Sequence, residues 1–134
     1  MEKKIIFGAL GGTVAGMIVA SAIFMGLLGG MAEQWMKDNQ ACLVEMNPMF
    51  WIIASVVQSV FITILFVKLN IDNFRSGAIA GAWMTFFMIL WYGLFNVSTF
   101  KAYTWGWLPY DLVGNTITGA IAGGVIGLIL GKMK

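Results

Sequence analysis

The chain has 134 residues, of which 60% are hydrophobic and only 10% charged, with a mean hydropathy of +0.86. Soluble domains carry about 25% charged residues, so a soluble fold has no means of hiding this much apolar surface, and a formal net charge of +2 is too small to point to nucleic acid. There is no histidine and a single cysteine, Cys42, which excludes histidine-ligated haem, Cys/His zinc sites, Ser-His-Asp catalysis and Cys-x-x-Cys redox chemistry.

The eight basic and six acidic residues leave uncharged stretches at 5–32, 46–67, 76–100 and 112–131. Each reaches the roughly 20 residues that a helix needs to cross a ~30 Å hydrocarbon core. In lipid the backbone must satisfy itself within the segment, so helices are the expected spanning structure. The ~10-residue alternating segments of a β-barrel are absent. The expected fold is therefore all-α, a polytopic bundle of four transmembrane helices forming one domain over residues 1–134.

The first span is predicted at residues 5–28. Its apolar run exceeds the 7–15 residues of a signal-peptide core, so it is read as a retained helix. Gly8, Gly12, Gly16 and Ala20 recur along it every four residues, a small-xxx-small face of the kind that lets helices approach closely in lipid. The long connection that follows places Gln34, Trp35 and Met36 beside charges, which predicts a short interfacial helix. The second span is predicted at 49–67, just after Pro48. It has no glycine, and Ser55, Gln58, Ser59 and Thr63 share one face of it by helical spacing.

A short polar turn, Lys68 to Arg75, leads to the third span, predicted at 76–98. It carries Gly77 and Gly81 near its start and a polar line of Thr85, Tyr92, Asn96 and Thr99. The fourth span, predicted at 110–131, follows Pro109. Gly119, Gly123, Gly127 and Gly131 form its small face, with Ala120 and Gly124 on an adjacent stripe, and Asp111, Asn115 and Thr118 align on its polar side. The glycine faces predict that the first and fourth spans pack together, or that one of them meets another subunit.

Topology follows from the basic residues. Lys3, Lys4, Lys68, Arg75, Lys132 and Lys134 would lie on one side and only Lys37 and Lys101 on the other, which predicts both termini in the cytoplasm. Aromatic residues cluster at the opposite boundary, as in an interfacial belt. Small residues open the first and third spans and a proline precedes the second and fourth. This predicts a parallel two-plus-two repeat of hairpins.

No charge lies deep within a span, which argues against ion-coupled pumping and against the small multidrug exporters. The polar residues Gln58, Tyr92, Asn96, Asp111 and Asn115 are candidates for a pocket open to the outer side; their alternative role is to hydrogen-bond helix to helix, at about 0.6–2 kcal/mol per bond. The sequence predicts no catalytic residues, metal or cofactor.

The segment Phe74-Arg75-Ser76-Gly77-Ala78-Ile79-Ala80-Gly81, together with the tail from Asp111 to Lys132 and its Thr116, Gly119, Ala120, Gly123, Gly127 and Gly131, resembles small four-helix bacterial membrane proteins classed as domains of unknown function. The resemblance covers the C-terminal half and implies a bacterial cytoplasmic-membrane location but no activity. Gly114-Asn115-Thr116 and Ser98-Thr99-Phe100 faintly echo the dimeric fluoride channels. The arginine of their first helix and the asparagine of their second are missing, so that family is set aside.

The expectation that results is a non-catalytic accessory or structural subunit that assembles through Gly8, Gly12, Gly16, Gly77, Gly81, Gly119, Gly123 and Gly127. Its expected partners are membrane lipids and either further copies of itself or a larger membrane protein. The alternative is an oligomeric protein that binds or transports a small solute or lipid.

Overall fold

The computed structural model describes residues 1–45 and 47–134, and every regular element among them is helical. Helix α1 (Glu2–Ser21) continues through a π-helical turn, Ala22–Leu27, before Leu28 leaves the helical region and α2 (Gly29–Asp38) begins. A 3₁₀ turn, Gln40–Cys42, follows. Then come α3 (Pro48–Lys68), α4 (Phe74–Thr99) and α5 (Leu108–Lys132). Four segments are long and apolar enough to cross a membrane: Glu2–Leu27, Pro48–Lys68, Phe74–Thr99 and Leu108–Lys132. The chain therefore has the make-up of an integral membrane protein.

Local chemistry sets the helix ends. The Asn47 side chain accepts from the backbone N–H of Met49 at 3.0 Å, with Pro48 in the first turn, where its missing N–H costs nothing. Asn73 caps α4 by accepting from the N–H of Ser76 at 2.9 Å. Helix α3 stops because Asn70 adopts a left-handed conformation (φ 55°), and the N–H of Ile71 reaches back to the Phe66 carbonyl at 2.9 Å. That is a Schellman closure, with asparagine in the place that glycine more often takes. Ile71 also packs against the apolar cluster that contains Phe66.

Helices α3, α4 and α5 run one or two residues beyond their predicted bounds at each end, whereas the first span begins three residues earlier, at Glu2, and ends one earlier, at Leu27; hydrogen bonding sets these ends and the hydrocarbon edge does not. Glu2, Lys68, Arg75 and Lys132 are all helical. The predicted short helix around Trp35 is α2.

Two ends of the bundle can be told apart. The terminal end carries Met1, Lys134 and the Leu69–Asn73 turn; the loop end carries α2 and the 100–107 connection. Helix α5 packs on α4 and on α1, and α1 also packs on α3; α3 leans only lightly on α5 and scarcely touches α4. The apolar core is at the terminal end, formed by Ile62 and Phe66 of α3 with Ile126 and Leu130 of α5. Most other large apolar side chains, Trp83, Phe87 and Trp91 of α4 among them, face outward, as suits contact with acyl chains.

The tightest seam lies between α4 and α5. A Cβ placed on Gly77 would collide with the carbonyl oxygen of Gly123, one on Gly81 with that of Gly119, and one on Gly127 with that of Asn73. In the reverse direction, a Cβ on Gly123 would lie 2.9 Å from the Gly81 Cα. Glycine Cα groups therefore face carbonyl oxygens across the seam, the arrangement of Cα–H···O contacts between closely packed helices. The predicted contact of the first and fourth spans is present as α1 on α5, but the Gly119–Gly123–Gly127 face is turned on α4.

Gly8 and Gly12 of α1 receive side chains instead. The Thr63 methyl lies 2.6 Å from a Cβ built on Gly8, and the Ile126 side chain lies 2.6 Å from one built on Gly12. Gly124, on the adjacent stripe of α5, receives the ring of Phe74 at 2.6 Å. Gly16 is looser, with only the Ala122 Cβ at 3.6 Å.

Gly123→Val should therefore lower stability by about 1–3 kcal/mol or more, since the opposing atoms are backbone and cannot turn aside. Gly16→Ala should be neutral or slightly stabilising, within about 0.5 kcal/mol. Unfolding in mixed micelles of increasing dodecyl sulfate content, followed by circular dichroism, measures both.

Candidate functional site

Above the apolar core, toward the loop end, the helices border a partly open cavity of about 140 Å³. All four spans contribute to its lining. Helix α1 gives Gly12, Thr13, Gly16, Met17 and Ala20; α3 gives Trp51, Ser55, Gln58, Ser59 and Ile62; α4 gives Thr85; α5 gives Asn115, Thr118, Gly119, Ala122 and Ile126. The small residues of α1 and α5 leave the space, and α3 and α4 do not close across it because they scarcely touch. From Pro48 to Gln58 the rise is roughly 15 Å, about half of a ~30 Å hydrocarbon thickness.

The polar groups that line the cavity are uncharged, and most are held by their own helix. Thr13 donates to the Ala9 carbonyl at 2.8 Å, Ser55 to that of Trp51 at 2.9 Å and Thr118 to that of Gly114 at 2.9 Å. These bonds to the preceding turn spend the single hydroxyl hydrogen and leave lone pairs toward the cavity. Ser59 is buried, whereas Gln58 stands exposed at the rim. Thr85 is buried with its Oγ1 turned against the backbone of Gly119, where it has no hydrogen-bond partner among the described residues.

Asn115 connects this cavity to a second polar cluster. Its amide nitrogen donates to the Asp111 carbonyl at 2.8 Å and to Asp111 Oδ1 at 2.7 Å. The other carboxylate oxygen, Oδ2, accepts from the Tyr103 hydroxyl. Burial, first, pushes the Tyr103 phenol well above its ordinary value; the hydrogen bond to Asp111 and the negative charge of that carboxylate add to this, and Tyr92 contributes less. Tyr103 therefore remains a protonated donor throughout the physiological range.

The loop that carries Tyr103 is pinned from above. Trp35 of α2 donates its indole N–H to the Ala102 carbonyl at 2.7 Å and stacks on Trp107, with ring centroids 6.1 Å apart and planes 20° apart.

The five predicted binding residues separate into groups. Gln58 and Asn115 line the same cavity, while Asp111 stands behind Asn115 as its anchor and is not among the lining residues. Asn96 is buried on α4 away from the cavity, one turn from Gly93, and a Cβ on Gly93 would lie 3.5 Å from the Tyr103 hydroxyl. Tyr92 is 54% exposed and does not line the cavity. The spacing along α4 aligned Tyr92 and Asn96 with Thr85, but only Thr85 lines the cavity: Tyr92 is exposed, and Asn96, though buried, stands about three turns further along α4.

Sequence reasoning did not single out Thr13, whose one signal is its place beside Gly12 on the packed face of α1. It also missed Tyr103, which reaches Asp111 through a loop whose course no periodicity reports. No group of three or more potential metal ligands occurs among the described residues. No protein-family profile matches the chain, nor does any curated protein or solved structure.

A phenol held protonated by a carboxylate should be the last to ionise. In an alkaline titration followed by near-ultraviolet absorbance, Tyr103→Phe should remove the latest phenolate signal, and Asp111→Asn should move that signal to lower pH. Because the folded value is raised, the stability contributed by this contact is complete below the unfolded phenol value near pH ~10 and is lost as pH rises above it.

Proposed function

We propose that this chain is a non-catalytic membrane-embedded binding protein that takes a small polar molecule, or the head of an amphiphile, into the cavity between α1, α3, α4 and α5. The observation that carries this reading is the convergence of Thr13, Ser55, Gln58, Ser59, Asn115 and Thr118 on one space at mid-bundle depth. Polar side chains in lipid are costly and are retained where they bond each other or a ligand. Here several of them bond neither one another nor a different helix.

The cavity is small. Sites for drug-sized ligands measure roughly 300–1,000 Å³, so about 140 Å³ suits a few heavy atoms, with any attached chain lying in the open seam between α3 and α4.

An accessory-subunit role would rest on the glycine faces as contact surfaces. Those faces are occupied by the chain's own helices: Gly77 and Gly81 by α5, and Gly119, Gly123 and Gly127 by α4. The cavity is the better-supported basis for function. The lysine and arginine distribution supports a topology with both termini in the cytoplasm, and the likeness of the C-terminal half to small bacterial membrane proteins supports the bacterial cytoplasmic membrane. In that orientation the cavity lies toward the outer side. A homo-oligomer in which copies cover each other's open seams, and a two-plus-two hairpin ancestry, are compatible with this reading.

Native mass spectrometry of the protein released from its own membrane in mild detergent should find the chain, alone or in whole-number multiples, carrying a non-covalent adduct that Ser55→Phe removes. A chain that leaves with a larger protein and no adduct would instead assign it an accessory role. Topology is tested through Cys42, which is exposed and the only thiol. A membrane-impermeant maleimide should label it in intact cells. Labelling only after permeabilisation would reverse the orientation.

A further inference from the structure

We propose that the ligand of this cavity presents a primary ammonium group. The inference rests on the binding reading above and adds the chemical class that the cavity selects.

The argument is an account of hydrogens. Thr13, Ser55 and Thr118 have each spent their only hydroxyl hydrogen on a carbonyl of their own helix, so toward the cavity they can only accept. Asn115 is fixed in the same sense. Both of its amide hydrogens go to Asp111, to the backbone carbonyl and to the carboxylate. Two acceptors on one side dictate which way the amide faces, and its Oδ1 is left for the cavity. Donation to a carboxylate also polarises that amide and strengthens its oxygen as an acceptor. The cavity thus presents fixed acceptor oxygens from α1, α3 and α5. Thr85, which has a hydrogen to give, turns its oxygen onto Gly119. The donors that remain are Gln58, at the rim, Ser59, and the indole N–H of Trp51.

An anion would meet these lone pairs with no basic residue among the lining groups, so anions are rejected. A primary ammonium brings three hydrogens and needs three acceptors when it leaves water, which the oxygens of Thr13, Ser55, Thr118 and Asn115 can supply. Trp51 also lines the cavity, and a tryptophan face attracts a cation. The small volume admits the ammonium and the first carbons of its chain.

The test uses purified full-length protein in nanodiscs of phosphatidylcholine and four probes with the same chain: hexylammonium, hexyltrimethylammonium, hexanol and hexanoate. Hexylammonium should bind at least about tenfold more tightly than each of the others, as loss of a hydrogen bond to a charged group implies. Thr118→Val keeps the shape and removes one acceptor. It should weaken hexylammonium several-fold and leave hexanol unchanged.

Equal binding of the trimethyl probe or of hexanol, with all binding abolished by Ser55→Phe, would overturn the ammonium assignment and leave the cavity reading standing. Probe binding that Ser55→Phe does not alter, or no binding of any probe, would overturn both. Nanodiscs made with phosphatidylethanolamine separate the two sources of the group. Loss of hexylammonium binding there assigns the site to the lipid head group; unchanged binding assigns it to a free amine.

Discussion

The bundle depends on how closely α4 and α5 approach. Helices in lipid are not driven together by the expulsion of water, so association has to come from packing and from contacts that only short separations permit. Gly77, Gly81, Gly119, Gly123 and Gly127 leave room for a neighbouring carbonyl where a side chain would stand. With α4 held there, α5 offers its remaining surface to α1, and α1 in turn holds α3. The order of contact α4–α5–α1–α3 follows from where the smallest residues are.

The same distribution explains why the bundle is dense at one end and hollow at mid-depth. Toward the termini, α3 contributes Ile62 and Phe66 and α5 contributes Ile126 and Leu130, and these side chains fill the interior. One or two turns further, α1 offers Gly12, Thr13 and Gly16, and α5 offers Asn115, Thr118 and Gly119, against Ser55 and Gln58 of α3. Small and polar residues facing one another cannot fill the space between four helices. The cavity is thus the continuation of the small-residue faces beyond the level at which large side chains reach across.

The four spans were legible because charge is confined to their ends, and a stretch of about 20 uncharged residues has one main structural meaning in lipid. The shared face of Ser55, Gln58 and Ser59 was legible by spacing, as was that of Asn115 and Thr118. Spacing places residues on a face of their own helix but does not say what that face meets. That is why Tyr92 and Asn96 aligned with Thr85 in the sequence yet stand apart from it in the fold. The glycine periodicity likewise announced close contact without naming the partner. Repeats on the first and fourth spans suggested that the two faces meet, whereas the α5 face meets α4 and the α1 face is filled by Thr63 and Ile126. Tyr103 and the Trp35 clamp were out of reach because they depend on the path of irregular chain.

The pairing of α1 with α5 joins the first of these four spans to the fourth. During synthesis α1, α3 and α4 emerge before the surface that completes the packed face of α1 exists, since Ile126 fills the hollow at Gly12 and Val125 and Ile129 lie against Gly11. Until then, α1 lacks the side chains that fill its hollows at Gly11 and Gly12, and α4 lacks the backbone that its glycines pack against. Helix α5 therefore converts a set of separate helices into a bundle.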